Sequence, residues 1–554
     1  MKLTGAEIII KVLLEQGVDT VFGYPGGNVL NIYDELYKYQ DRITHYTTCH
    51  EQGAAHAADG YARATGKPGV VIATSGPGAT NLVTGVACAY FDSTPMVAVT
   101  GNVPSGLLGR DSFQEVDIAG ITMPVTKHNY IAKDIDRLAD ILREAFQVAI
   151  SGRPGPVLVD VPKDVQLATT EYQEMPKQEP RPYRPVDMAE VEQALEVIRQ
   201  SKRPFIYCGG GIVLAEASDE LQKLAELIDA PIGSSMMGLS SVPTCNPRFL
   251  GMTGMHGRFA STKAQSECDL LIAVGARFSD RATGDKVRFS QGRIVLHIDI
   301  DPAEISKNIT VDKCVIGNLK EVLQTLCERL EPAEHPEWRE WVESMKNCPE
   351  NDITMPYEGL TPQYTIETVS DLMTEDDLMA TDVGQHQMWV MQYGRFCKPR
   401  TLLTSGGLGA MGFGMGASIG GSLSRNRQRV VLFTSDGSFH MNLNELATAV
   451  SNDIPLIVVV LNNGVLGMVR QWQTLFYEER YSCTSLYRKT DFVKLAESFG
   501  AVGLRATTKQ EFDTCIQEAF AHRTPVVIDC QINCDIKVLP MIPPNKSIND
   551  IILK

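Results

Sequence analysis

Arg429-Val-Val-Leu-Phe-Thr-Ser-Asp-Gly437 and Pro455-Leu-Ile-Val-Val-Val-Leu-Asn-Asn463 decide how this chain is read. Each is a short apolar, β-branched run that ends abruptly in small polar residues, the pattern of a buried strand. Twenty-four residues separate Gly437 from Asn462. That is room for one crossover helix, predicted from Met441 to Ser451, and the second strand. A strand, a helix and another strand at this spacing imply a right-handed parallel unit. If the strands are neighbours, Asp436 and Asn463 leave their carboxyl ends into one crevice, where open α/β sheets bind ligands.

The same rhythm recurs outward along the chain. Near the start, Gly69 to Thr74 reads as a strand, Ser75-Gly-Pro-Gly78 as a turn, Ala79 to Tyr90 as a helix and Met96 to Gly101 as a second strand. In the middle, Pro204–Gly211, Asp269–Ala276 and Arg293–Ile300 read as strands followed by small residues. Two proline-rich stretches divide the chain: Gln178-Glu-Pro-Arg-Pro-Tyr-Arg-Pro185, and the region from Glu331 to Pro362, whose prolines should interrupt any long element. The expectation is three doubly wound α/β domains, at 1–177, 186–335 and 360–540, with a tail at 541–554 that is either a lid or disordered.

Bulk properties narrow the class. A chain of 554 residues is too long for one core. Acidic residues outnumber basic ones by 67 to 51, and no basic run appears, which disfavours nucleic acid and anionic membranes as partners. Thirteen cysteines without paired metal spacing suggest free thiols in a reducing compartment. The N-terminus reads as an amphipathic helix rather than a signal peptide, and apolar runs are too short to span a bilayer. A soluble cytoplasmic protein is expected.

Asp436 and Asn463 would offer one carboxylate and one amide oxygen. Hard oxygen donors with few charges suit Mg²⁺ shared with a diphosphate. Alone, Asp-Gly and Asn-Asn are ordinary turn chemistry; at two strand ends with this spacing they are a signal. Here the chain resembles the thiamine-diphosphate enzymes, whose motif runs Gly-Asp-Gly, a gap, then Asn-Asn. Ser435 stands where that motif usually has its first glycine. The resemblance implies that Asp436, Asn463 and the carbonyl of Val465 hold the metal. It assigns Pro25, Gly437, Ser438, Gly467 and Met468 to the cofactor as well, and puts Met411, within the glycine-rich stretch Gly406–Gly416, beneath its thiazolium ring.

His50-Glu-Gln-Gly-Ala-Ala-His-Ala-Ala-Asp-Gly-Tyr-Ala-Arg63 predicts a helix of small residues able to pack backbone-close, as at a subunit interface. Glu51 alone would be a carboxylate favoured by the helix dipole. The family instead uses the matching glutamate to hydrogen-bond the cofactor's pyrimidine ring and promote loss of the thiazolium C2 proton. It also places Glu51 on one subunit and Asp436 on the other, so a homodimer or dimer of dimers is implied.

Further stretches narrow the likeness. Tyr24-Pro-Gly-Gly27, Ser75–Asn81, Phe113-Gln-Glu115, Gly152–Pro156, Val161–Val165, Met255-His-Gly257, Ala276-Arg-Phe-Ser-Asp-Arg281 and Gly467–Gln473 resemble acetohydroxyacid synthase catalytic subunits in order along nearly the whole chain. That family decarboxylates pyruvate and joins the two-carbon unit to a second 2-oxo acid. The resemblance implies that Gly27 and Gln114 orient the bound substrate and that Lys163 and Phe113 line the channel. Met468 and Trp472, four apart on one helical face, would shape the acceptor pocket. It also implies FAD, contacted by Arg153, Met255, His256, Gly275, Arg277, Asp280, Arg281, Asp299 and Ile300, and a possible small regulatory subunit. Ser279 and Asn318 stand where the family commonly has acidic residues; Asn28, Asn102 and Gly416 also depart from its usual residues. Rival readings are a flavin-linked pyruvate oxidase or plain decarboxylase, a flavin-independent catabolic acetolactate synthase, and a cofactor-free scaffold.

Overall fold

The structure is a computed structural model and describes residues 1–553. It contains three six-stranded sheets, every neighbouring pair of strands parallel. The first runs, in spatial order, Thr44–Thr47, Thr20–Tyr24, Gly69–Ala73, Met96–Asn102, Pro156–Pro162, His128–Ile131. The last runs Leu402–Leu403, Leu378–Thr381, Val430–Ser435, Leu456–Asn462, Val526–Gln531, Val502–Ala506. Numbered along the chain within each sheet, both follow the order 2-1-3-4-6-5. The middle sheet, from Pro204–Cys208 to Lys313–Ile316, follows 3-2-1-4-5-6, the order of dinucleotide-binding sheets. Central strands such as Gly69–Ala73 and Leu270–Val274 are buried throughout, because helices cover both faces.

The helix Glu51–Thr65 packs along the helix Phe413–Ser424 of the last domain, the most extensive contact between two elements in the chain. Each follows the second strand of its own sheet, so the two occupy equivalent positions. Glycine makes the approach possible. A Cβ on Gly420 would lie 1.8 Å from the Ala57 carbonyl oxygen, and one on Gly60 would lie 2.2 Å from that of Ala417. The close-packing partner that the small residues call for is found within the same chain. Gly416 belongs to this contact too, 2.6 Å from the Gly53 oxygen by the same measure.

Three sequence expectations shift in detail. The helix expected over 79–90 is two, Pro77–Asn81 and Val83–Asp92. The one expected over 441–451 begins at Glu445, because the preceding turn is tied elsewhere: Asn442 Nδ2 donates to the Gly412 carbonyl at 3.0 Å. The second proline-rich stretch contains a full helix, Pro336–Lys346, with proline at its first turn, where no N–H partner is lost. It joins the middle core, Trp338 Nε1 donating to the Pro204 carbonyl at 3.0 Å. No helix among the described residues is long and apolar enough to cross a membrane.

Candidate active site

The strands Val430–Ser435 and Leu456–Asn462 are direct neighbours, with Ser435 opposite Leu461. Asp436 and Asn462 thus leave adjacent carboxyl ends together, and Asn463 follows in the same crevice. Asp436 is 6% exposed, and its Oδ1 is buried with no hydrogen-bond partner. Burial pushes this carboxyl up to about 6 despite nearby backbone N–H groups. Ser438 Oγ is likewise buried without a partner. Asn463 Oδ1 accepts from the N–H of Val465 at 3.2 Å, which fixes the amide in the turn. A buried carboxylate oxygen without a donor is costly unless a cation meets it, and an adjoining amide oxygen suits a hard divalent ion. The donor set fits Mg²⁺.

Neighbouring loops complete the crevice. The strand Leu378–Thr381 lies beside Val430–Ser435 at the point where strand order reverses, and the helix Gln385–Tyr393 begins after it. Its His386 is buried, with Nε2 unpartnered, and burial drives the imidazole down to about 3, so it stays neutral. A Cβ on Gly467 would meet Gln385 Oε1 at 2.0 Å, so only glycine lets this side chain approach. Sequence reading missed Gly384, Gln385 and His386; the signal was the reversal point itself, visible only once strand order is known. Met411 precedes Gly412, whose φ of +90° and N–H bond to Asp382 Oδ1 at 2.7 Å turn the chain into the helix Phe413–Ser424.

In the first sheet the expected residues all follow carboxyl ends of strands. Pro25 and Gly27 come after Thr20–Tyr24, Glu51 after Thr44–Thr47, Phe113 and Gln114 after Met96–Asn102, and Lys163 after Pro156–Pro162. Lys163 Nζ donates to the Gly27 carbonyl at 3.2 Å, joining two of them. Glu51 opens its helix and accepts from Asn81 Nδ2 at 3.0 Å. Its charge, after burial, also helps hold the Tyr33 phenol above its ordinary range. Gln114 has φ +59° and rests on Gly76, where a Cβ would come within 2.9 Å of Gln114 Cα. Phe113 is 87% exposed, without a covering neighbour in the chain. Two departures are explained locally: Asn28 Nδ2 donates to Ser75 Oγ at 2.6 Å, and Asn102 Nδ2 to buried Asp160 at 2.6 Å.

A cavity of about 1390 Å³ opens at the reversal point of the middle sheet. Arg153, Met255, His256, Gly275 and Arg277 line it, as do Asp280, Arg281, Asp299 and Ile300. Met468 and Trp472 of the last domain close one side, on the helix Gly467–Phe476, with the Arg281 guanidinium 5.6 Å above the Trp472 ring. Arg153 donates to Glu304 Oε1 at 2.6 Å and to Ser93 Oγ at 2.8 Å. Burial holds the His256 imidazole down to about 4. Gly209, Gly210 and Gly211 also line the cavity and were not singled out from sequence. A Cβ on Gly209 would lie 2.0 Å from the Gly275 oxygen, so the two turns meet through glycine alone. Asn318 caps the helix Leu319–Arg329 at the rim, accepting from the Lys320 N–H at 3.0 Å. Glycine turns at a reversal point, with Arg153, Arg277, Arg281 and Arg480 around the cavity, fit a dinucleotide such as FAD.

Three family models match the chain: the N-terminal TPP binding domain of thiamine pyrophosphate enzymes over residues 3–121, their central domain over 191–326, and their C-terminal TPP binding domain over 382–530. The chain is 46% identical to an acetolactate synthase large subunit of Corynebacterium glutamicum, over 99% of its own length and 90% of that protein. It is 43% identical to a probable acetolactate synthase large subunit of Methanocaldococcus jannaschii, covering 99% and 95%. A large subunit of Haemophilus influenzae is 42% identical, covering 100% and 98%.

Proposed function

From the premise that the chain belongs to the thiamine pyrophosphate enzymes, among the acetolactate synthase large subunits, we propose that it decarboxylates pyruvate and ligates the two-carbon unit to a second 2-oxo acid. Pyruvate as acceptor gives 2-acetolactate, and 2-oxobutyrate gives 2-aceto-2-hydroxybutyrate, both precursors of branched-chain amino acids. Bound thiamine diphosphate supplies the electron sink that makes the decarboxylation accessible. The observation that carries this reading is the buried, unpartnered Oδ1 of Asp436 beside Asn463 at two adjacent strand ends.

Asp436, Asn463 and the Val465 carbonyl hold Mg²⁺ against the diphosphate, while Gly437, Ser438, Gly467 and Met468 line it. Pro25 and Met411 would contact the cofactor as well. Glu51 holds a proton at the pyrimidine. Gly27, Gln114 and Lys163 orient substrate at the mouth, beside Phe113. Met468 and Trp472 shape the acceptor pocket, which the Arg281 stacking on Trp472 supports. FAD occupies the large cavity through Arg153, Met255, His256, Gly275, Arg277, Asp280, Arg281, Asp299 and Ile300. The domains divide at 1–177, at 186–335 with the helix Pro336–Lys346 added to the middle one, and at 360–540.

A second copy of the chain covers the exposed Phe113 and brings Glu51 to the other subunit's diphosphate site. The relatives' designation as large subunits supports a small regulatory partner. Thirteen free cysteines support a reducing compartment, the cytoplasm. Purified protein with Mg²⁺, thiamine diphosphate and pyruvate should release CO₂ and form acetolactate, and a yellow absorbance should accompany it. Release of CO₂ with acetate and no acetolactate would favour the oxidase reading.

A further inference from the structure

Glu445 is fully buried in the last domain, at the start of the helix Glu445–Ser451, yet its carboxylate serves the first domain. Oε2 accepts from the backbone N–H of Cys49 at 3.1 Å, and Oε1 from that of His50 at 3.0 Å. Thr448 Oγ1 donates to Oε2 at 2.6 Å from within the same helix. Burial pushes this carboxyl up while the three donors pull it down. Gly53 makes the approach possible, since a Cβ there would lie 2.2 Å from Glu445 Oε1. The two clamped N–H groups immediately precede Glu51. They reach outside the capping of that helix, in which the His50 side chain accepts from the Gln52 N–H at 3.0 Å.

We propose that Glu445 is a positioning residue that fixes where Glu51 leaves the chain by clamping the backbone of Cys49 and His50 from another domain. The proposal rests on the reading of Glu51 given above and adds how its direction is set. A two-point bond to successive N–H groups defines both place and orientation of the peptide, which a single cap does not. Glu51 itself has one side-chain hydrogen bond, to Asn81, so its backbone must carry most of the aim. Displacement of a catalytic group by about 1 Å costs on the order of a hundredfold in rate.

The test uses the full-length chain and three variants, Glu445→Gln, Glu445→Ala and Glu51→Gln. Amide hydrogen exchange over residues 48–54, measured without cofactor, reads the clamp itself. The expected result is at least about tenfold faster exchange at Cys49 and His50 in Glu445→Ala, with protection of the helix Phe413–Ser424 unchanged. C2 proton exchange of bound thiamine diphosphate then reads the consequence: about tenfold to a hundredfold slower in Glu445→Ala and partly restored in Glu445→Gln, which keeps one acceptor oxygen. Wild-type amide protection in folded Glu445→Ala overturns the clamp. Faster amide exchange with wild-type C2 exchange overturns the positioning role while leaving Glu51 in place. Wild-type C2 exchange in Glu51→Gln instead overturns the reading of Glu51. Should Glu445→Ala fail to fold, Glu445→Gln carries both measurements, and wild-type values in both overturn the proposal.

Discussion

The first and last domains share one strand order, 2-1-3-4-6-5, and pack equivalent helices against each other, but they place their carboxylates differently. In the first, Glu51 opens a 15-residue helix and already has a donor in Asn81. In the last, Asp436 opens a four-residue helix and has a buried oxygen with no donor. A satisfied carboxylate at a helix start suits hydrogen bonding to a ring; an unsatisfied one among strand ends suits a cation. One scaffold used twice thus offers two chemistries, and the difference lies in the loops rather than the sheets.

The contrast breaks most severely at Asp436. Asp436→Ala should weaken Mg²⁺-dependent cofactor binding by more than about a hundredfold, read by titration, since even partners of metal ligands cost 10- to 100-fold. On the other side, Glu51→Gln should leave cofactor affinity within a few fold while slowing C2 proton exchange by about 10² to 10⁴, the usual worth of a positioned acid or base. Equal effects of the two substitutions on affinity would erase the distinction between the domains.

The helix pair that joins the domains is tested by Gly420→Val. With the Ala57 oxygen 1.8 Å from the Cβ position, backbone must move, and destabilisation of about 3 kcal/mol or more is expected in denaturant unfolding. Trp472→Leu should change the ratio of acetohydroxybutyrate to acetolactate under mixed substrates by about tenfold, the scale of a remodelled apolar pocket.

A pH-dependent effect concerns Asp160, a buried carboxylate of the first sheet held by Thr100 Oγ1 and Asn102 Nδ2. Burial raises it from 3.8 to about 6, against those two donors. The folded state therefore binds the proton more tightly than the unfolded chain. Stability from this group is present below about pH 3.8 and is lost as pH rises to about 6, by at most about 3 kcal/mol. Asp160→Asn should flatten that part of the pH dependence of urea midpoints, measured as the difference from wild type.

Sequence carried much of this. The strands at 430–435 and 456–462 were legible because continuous apolar runs ended in small polar residues, and spacing placed Asp436 and Asn463 at their neighbouring ends, while the role proposed for them came from the resemblance. What sequence withheld depended on order in space. His386 and Gly209 sit where strand order reverses, and nothing local announces a reversal. The small residues of the helix Glu51–Thr65 predicted a close partner but not that the partner was Phe413–Ser424 of the same chain, because a glycine records that something approaches and not what. Nothing in the sequence singled out Glu445, because its bonds to Cys49 and His50 span some 395 residues of chain. The helix at Pro336 was obscured because a proline at a first turn and a proline in a linker read alike.

The central claim is that Asp436 and Asn463 hold a metal-bound diphosphate. Calorimetric titration of thiamine diphosphate into the purified chain, with and without Mg²⁺, tests it most directly when repeated on Asp436→Ala. Binding of one cofactor per chain that requires Mg²⁺ and disappears in the variant is the predicted result. Binding that is indifferent to the metal, or undiminished by the substitution, would contradict the account.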